Sequence, residues 1–156
     1  MNLVDEPILA PATWERTEPQ KQLYTSNDVI DAYLQGQKEG LKHEKQLVYD
    51  RLAENMEKAG NHTYRVLSQM KESGITPEDA FLRIESWNVL TVLILLSEND
   101  FLNPKMLSIY QFVSQLEKEV DEEMYRLQIS FCDREDAIDM DHIYADGYMY
   151  KYKVGH

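Results

Sequence analysis

The chain is short of the parts from which several common kinds of site are made. Its 156 residues include one cysteine, Cys132, so neither an internal disulfide nor a cysteine zinc cluster can be assembled. Cys132 has no CxxC neighbour, and no serine has a histidine close by in sequence, so no nucleophilic triad can be read from the residues. The six glycines are scattered and form no phosphate-binding loop. Bases are scarce: 16 Lys and Arg against 28 Asp and Glu leave a net charge of −12. Attraction to a phosphate backbone or an anionic membrane is therefore disfavoured, and direct nucleic-acid binding is not expected. Long apolar runs are absent as well. The longest, residues 87–96, is about half of what a membrane helix needs. The N-terminal stretch lacks the basic and apolar regions of a signal peptide, and with a single cysteine the expected location is cytoplasmic.

What is present is one strong strand signal. The run WNVLTVLILL over 87–96 carries no charge and contains the β-branched Val89, Thr91, Val92 and Ile94, which favour a pleated strand. Both of its alternating faces are apolar, so it reads as a strand covered on two sides. After it, Asn103 and Pro104 open a helix to about Val120 with the stripe Met106, Ile109, Tyr110, Val113, Leu116 and Val120. Asp121, Glu122 and Glu123 turn the chain, and 124–131 alternates cleanly as a half-buried strand. Strand, helix, strand with short connections predicts a βαβ unit with parallel strands. Residues 137–154 read as a hairpin about Asp146-Gly147, with Tyr148, Tyr150 and Tyr152 on one face and Lys151 and Lys153 on the other. That separation argues against a shared platform for stacking bases and holding phosphates.

Upstream, residues 1–24 contain Pro7, Pro11 and Pro19 and predict an extended arm. Apolar periodicity predicts a helical region over 25–86: a long helix over about 27–59 stopped by Gly60, then short helices over about 63–73 and 77–85. A helix over 27–59 would be about 50 Å long, against a radius of gyration of roughly 14 Å for a domain of this size. It must project or break. The chain is accordingly read as α+β: an arm (1–24), a helical region (25–86), and a βαβ-hairpin domain (87–156) forming a small mixed sheet. The helix over 104–120 is expected on one face of the apolar strand and the long helix on the other.

For function the residues offer surfaces rather than chemistry. Gly36 and Gly40 lie one turn apart on the long helix and could admit a close neighbour, while Leu41 and Val48 fall at heptad spacing. With Trp14 in the arm and Tyr33 on the helix, these are the candidate interaction residues, for a protein partner or for self-association as a homodimer. The acidic tract near the C-terminus supplies weak metal candidates, Asp139 and Asp141, two apart on one strand face, but it fails the calcium-loop pattern. The expectation is a non-enzymatic interaction or assembly protein without cofactors. The alternatives are an acidic mimic of nucleic acid that occupies a basic partner, and a metal-dependent enzyme acting on nucleotides or nucleic acid through Asp139 and Asp141.

Overall fold

The computed structural model describes residues 13–16, 42–134 and 140–153. It is an α+β fold: strand β1 (Trp14–Arg16), helix α1 (Lys42–Glu72), strands β2 (Pro77–Ser86) and β3 (Val89–Leu96), helices α2 (Glu98–Phe101) and α3 (Met106–Val120), strand β4 (Arg126–Asp133), helix α4 (Met140–Ala145) and strand β5 (Tyr148–Tyr152). The five strands form one mixed sheet in the order β1-β5-β2-β3-β4. All neighbours are antiparallel except β3 and β4, the parallel pair of the βαβ unit.

Strand β3 sits inside the sheet with both faces covered, as its composition requires. Leu90, Val92, Ile94 and Leu96 enter the main core, where they meet Leu52, Met56, Ala59, Val66 and Met70 of α1 and Met106, Ile109, Val113 and Leu116 of α3. Both helices therefore lie on the same face of the sheet, which corrects the expectation that they lie on opposite faces. The other face carries a smaller cluster in which Phe81, Leu95, Ile143 and Tyr148 are buried, so α4 supplies its cover.

Helix α1 does not stop at Gly60. Its buried positions Leu52, Met56, Ala59, Thr63, Val66 and Met70 keep steps of three and four across Gly60 and Asn61, so one helix replaces the expected pair. Gly60 serves contact instead: a Cβ there would stand 2.7 Å from Thr13 Cγ2, so the Thr13 side chain lies closer than a larger residue would allow without a shift. The stop is Gly74, at φ +85, where Ile75 N–H donates to Met70 O and Gly74 N–H to Lys71 O, the paired bonds of a Schellman end.

Two further readings are overturned. Residues 77–85 form a strand rather than a helix. β2 lies between β5 and β3, sending Ala80 and Leu82 into the main core and Phe81 into the other cluster. Pro77, at the first strand position, removes no interior ladder donor. Residues 140–145 form α4 rather than the first strand of a hairpin. Asp146-Gly147 does turn the chain, with Gly147 at φ +99. Both edges of β5 are taken, however, by β1 (Trp14↔Tyr152) and β2 (Leu82↔Tyr150), which leaves no place for a hairpin partner. The β2–β5 register also slips between Leu82↔Tyr150 and Arg83↔Tyr148, inserting Met149 as a bulge. Tyr148 consequently joins the smaller cluster while Tyr150 and Tyr152 join the main core, so the three tyrosines do not share a face.

Candidate functional site

At one end of the sheet, the Trp87-Asn88 turn between β2 and β3 and the turn from α3 into β4 both meet the flank of α1. The junction is fixed by Asn55, which α1 buries fully. Its side-chain amide donates to Trp87 O at 2.8 Å and to Met124 O at 2.9 Å. Asn88 adds a second tie, donating from Nδ2 to Glu123 O at 3.2 Å, and its own carbonyl accepts from Arg126 N–H at 2.7 Å. Three separate segments are thus held by amide-to-carbonyl bonds, those from the buried Asn55 in a setting where leaving a carbonyl unpaired is costly.

N-terminal to Leu52, its first fully enclosed residue, α1 meets the main core only through the partly buried Val48 and Tyr49 and then runs past it. The result is a cleft of about 310 Å³ lined by Leu47, Val48, Asp50, Arg51, Glu54, Trp87 and Met124. Leu47 is 53% exposed and Met124 40% exposed, high values for large apolar side chains. The rim is mainly acidic. Asp50 and Glu54 stand on the helix side, and the neighbouring turn exposes Asp121, Glu122 and Glu123. Two of these are partly neutralised, Glu122 by Lys58 at 3.5 Å and Asp121 by Arg126 at 3.2 Å.

Beside this junction the ring nitrogen His62 Nδ1 lies 2.9 Å from the hydroxyl of the buried Tyr125. Burial, followed by the charges of Arg65 and Lys58, holds the His62 pKa below its ordinary value, and burial raises that of Tyr125. A neutral imidazole facing a protonated phenol is a settled hydrogen-bonded pair that braces α1 against the start of β4.

The candidate interaction residues separate. Trp14 is buried within its own chain: its indole N–H donates to Met56 O at 2.9 Å and its ring meets Tyr152 edge-on at 5.5 Å, so this part of the arm is strapped to the domain. Val48 lines the cleft and packs partly on the core. Tyr33, Gly36, Gly40 and Leu41 lie outside the described residues, as does Asp139. Asp141 falls within α4, with its side chain outside the description. Asp133, first of the acidic tract, is buried at the end of β4. Among the described residues no group of three His, Cys, Asp or Glu side chains is placed to hold a metal ion. No described helix is long and apolar enough to cross a membrane.

Trp87, Met124 and Leu47 were not legible as a site. Trp87 reads as the start of the apolar strand, Met124 as the wet face of the next, and Leu47 as one apolar residue off the helix stripe. The available hint was Asn55, which interrupts the heptad of Leu34, Leu41 and Val48 where an apolar residue would be expected. Comparison with protein-family models, with curated proteins and with solved structures finds no match to this chain.

Proposed function

We propose that this chain is a non-enzymatic protein-interaction module, and that the cleft between α1 and the two turns receives an amphipathic segment of a partner protein with basic residues beside its apolar face. The observation that carries this reading is the apolar lining of Leu47, Val48, Trp87 and Met124, two of them well exposed, beneath an acidic rim. Methionine and tryptophan are adaptable, high-area contacts of the kind that receive a helix in a groove. The net charge of −12 favours a basic partner over an acidic one and speeds its approach. Arg51 on the helix side gives such a segment one position at which an acid is tolerated.

The mimic of nucleic acid draws less support, because the described carboxylates on β2 and α3 alternate with bases rather than standing in an unbroken array. Glu78 and Asp79 meet Arg134, Asp79 also meets Lys151, and Glu85 meets Arg83. Glu119 lies near Arg65.

The test is a titration with a designed peptide that forms an amphipathic helix with leucines on one face and lysines on the other, followed by tryptophan emission. Trp87 lines the cleft whereas Trp14 is buried, so binding should shift the Trp87 emission to shorter wavelength. The shift should disappear in the Leu47→Asp/Met124→Asp double variant. Equal binding by a scrambled peptide of the same charge, or undiminished binding by the double variant, would sink the proposal.

A further inference from the structure

Strand β4 ends the sheet on one side: among the described residues it pairs with β3 alone. The direction of its backbone groups follows from contacts at its two ends, where Arg126 N–H donates to Asn88 O and Arg134 N–H to Leu96 O, both at 2.7 Å. Both positions are even-numbered, so strand alternation turns the N–H and C=O of Leu127, Ile129 and Phe131 the other way, off the edge of the sheet. A third contact agrees: Ile129 N–H donates to Glu117 Oε2 of α3 at 2.7 Å. The Glu117 carboxylate holds the place that a carbonyl of one more strand would take.

The surroundings of this edge differ from the rest of the surface. Along the flank of α3 that overhangs it, Leu107 is 66% exposed and Tyr110, one turn on, is 41% exposed. The Tyr110 ring meets Phe131 of β4 at 5.5 Å, which fixes the flank to the edge. On the opposite face of the sheet the exposed side chains of β4 are Arg126, Gln128 and Ser130. None of these three β4 side chains is acidic, in a chain with a net charge of −12.

We propose that the β4 edge is a self-association surface, at which two copies of the chain pair β4 antiparallel about Ile129 and continue the sheet across the dimer. A second copy is favoured over an unrelated strand because a two-fold contact uses one patch twice, and the exposed β4 side chains that would meet across it, Arg126, Gln128 and Ser130, add no acid of their own, which leaves Glu117 of α3 as the carboxylate to be displaced. The pairing also fits in register. Outward-pointing residues must face outward-pointing residues. Centring on Ile129 sets Leu127 opposite Phe131 of the second copy and Gln128 opposite Ser130 of the second copy, with no like charges directly opposed. The next register, centred on Ser130, sets Arg126 against Arg134 of the second copy and is disfavoured. Leu107 and Tyr110 of both copies come to the shared seam. Glu117 sets the threshold, since it must leave Ile129 N–H before a strand can dock; an edge guarded by one carboxylate associates conditionally rather than constitutively.

Light scattering across a range of concentrations tests this on the full chain. The wild type should rise from one protomer mass toward twice that mass, and Glu117→Ala should make the same rise at lower concentration. Gln128→Lys/Ser130→Lys and Gln128→Glu/Ser130→Glu alter only exposed side chains and should each remain at one protomer mass, with folding checked by circular dichroism. Mixed together, the two double variants should form a heterodimer. The proposal is overturned if neither the wild type nor Glu117→Ala self-associates at the highest soluble concentration, or if either double variant associates as readily as the wild type.

Discussion

The two faces of the sheet are built to different standards. On one, α1 and α3 lie side by side over a continuous apolar floor that runs from Tyr152 and Tyr150 through Leu82 to Leu90, Val92 and Ile94, and on to Leu127 and Ile129. On the other, the short helix α4 covers a small cluster about Phe81, Leu95 and Tyr148. There, apart from the half-buried Leu93 and Cys132, polar side chains tie themselves together. Arg83 pairs with Glu85 and lies over the Tyr148 ring at 4.9 Å, Thr91 donates to Glu85 at 3.1 Å, and Asp79 sits between Arg134 and Lys151. The contrast shows how a strand with two apolar faces can be satisfied unequally: Leu90, Val92, Ile94 and Leu96 are enclosed by two long helices, while Leu93 is left half-buried. Stability is concentrated on the helix-covered face, and both proposed contact surfaces lie at the margins of that thick layer, where α1 overruns the core and where α3 overhangs β4.

Neighbouring residues of β3 give the largest test of this asymmetry. Ile94→Ala, on the helix-covered face and fully buried, should lower stability by about 2–5 kcal/mol. Leu93→Ala, one residue away on the other face, should cost about 1 kcal/mol because only part of its area leaves water. Denaturant midpoints at constant slope measure both, and equal losses would break the comparison. Next comes the junction on which the cleft depends. Asn55→Ala strips two carbonyls of their donor and should cost about 2 kcal/mol, with peptide affinity at the cleft falling alongside stability. Gly60→Ala is smaller and its sign is informative. In an open helix interior the change stabilises by about 1 kcal/mol. Here the new methyl group meets Thr13, and the overlap should turn the gain into a net loss of about 1 kcal/mol. Combining it with Thr13→Gly should recover stability. The smallest effect is on pH. The folded-state pKa of His62 lies below its unfolded value of 6.5, so the unfolded chain takes up a proton more readily and stability declines as pH falls below about 6.5. The decline ends at the folded-state pKa. His62→Gln should flatten that part of the stability profile measured against the wild type.

The sequence was most legible where one local pattern had one structural solution. The strand at β3, the helix at α3 and the parallel strand after it were all readable, because alternation or three-four spacing persisted over most of each element and the turns between them were marked by Asn103-Pro104 and by the acids 121–123. β4 runs about two residues later than the alternation suggests, since Tyr125 is buried as part of the preceding turn. The errors came where partners distant in sequence decided the outcome. Thr76-Pro77 with Asp79 is a sound helix start, yet strand pairing on both sides of β2 outweighs it. Asp146-Gly147 is a sound hairpin turn, yet β1, more than a hundred residues upstream, occupies the edge that its partner would need. Gly60 signalled a helix stop when its cause was the approach of Thr13. Of the candidate site, only Val48 was anticipated by position. The cleft is assembled from the ends of three elements, and periodicity within any one of them carries no information about the others.

Chemical-shift mapping of the isotope-labelled protein during titration with the basic amphipathic peptide tests the functional account most directly. The largest changes should fall on residues 47–54, on Trp87 and on Met124, with little movement of α4 and β5. Changes spread evenly over the acidic surface, or centred on the α4 face of the sheet, would contradict it.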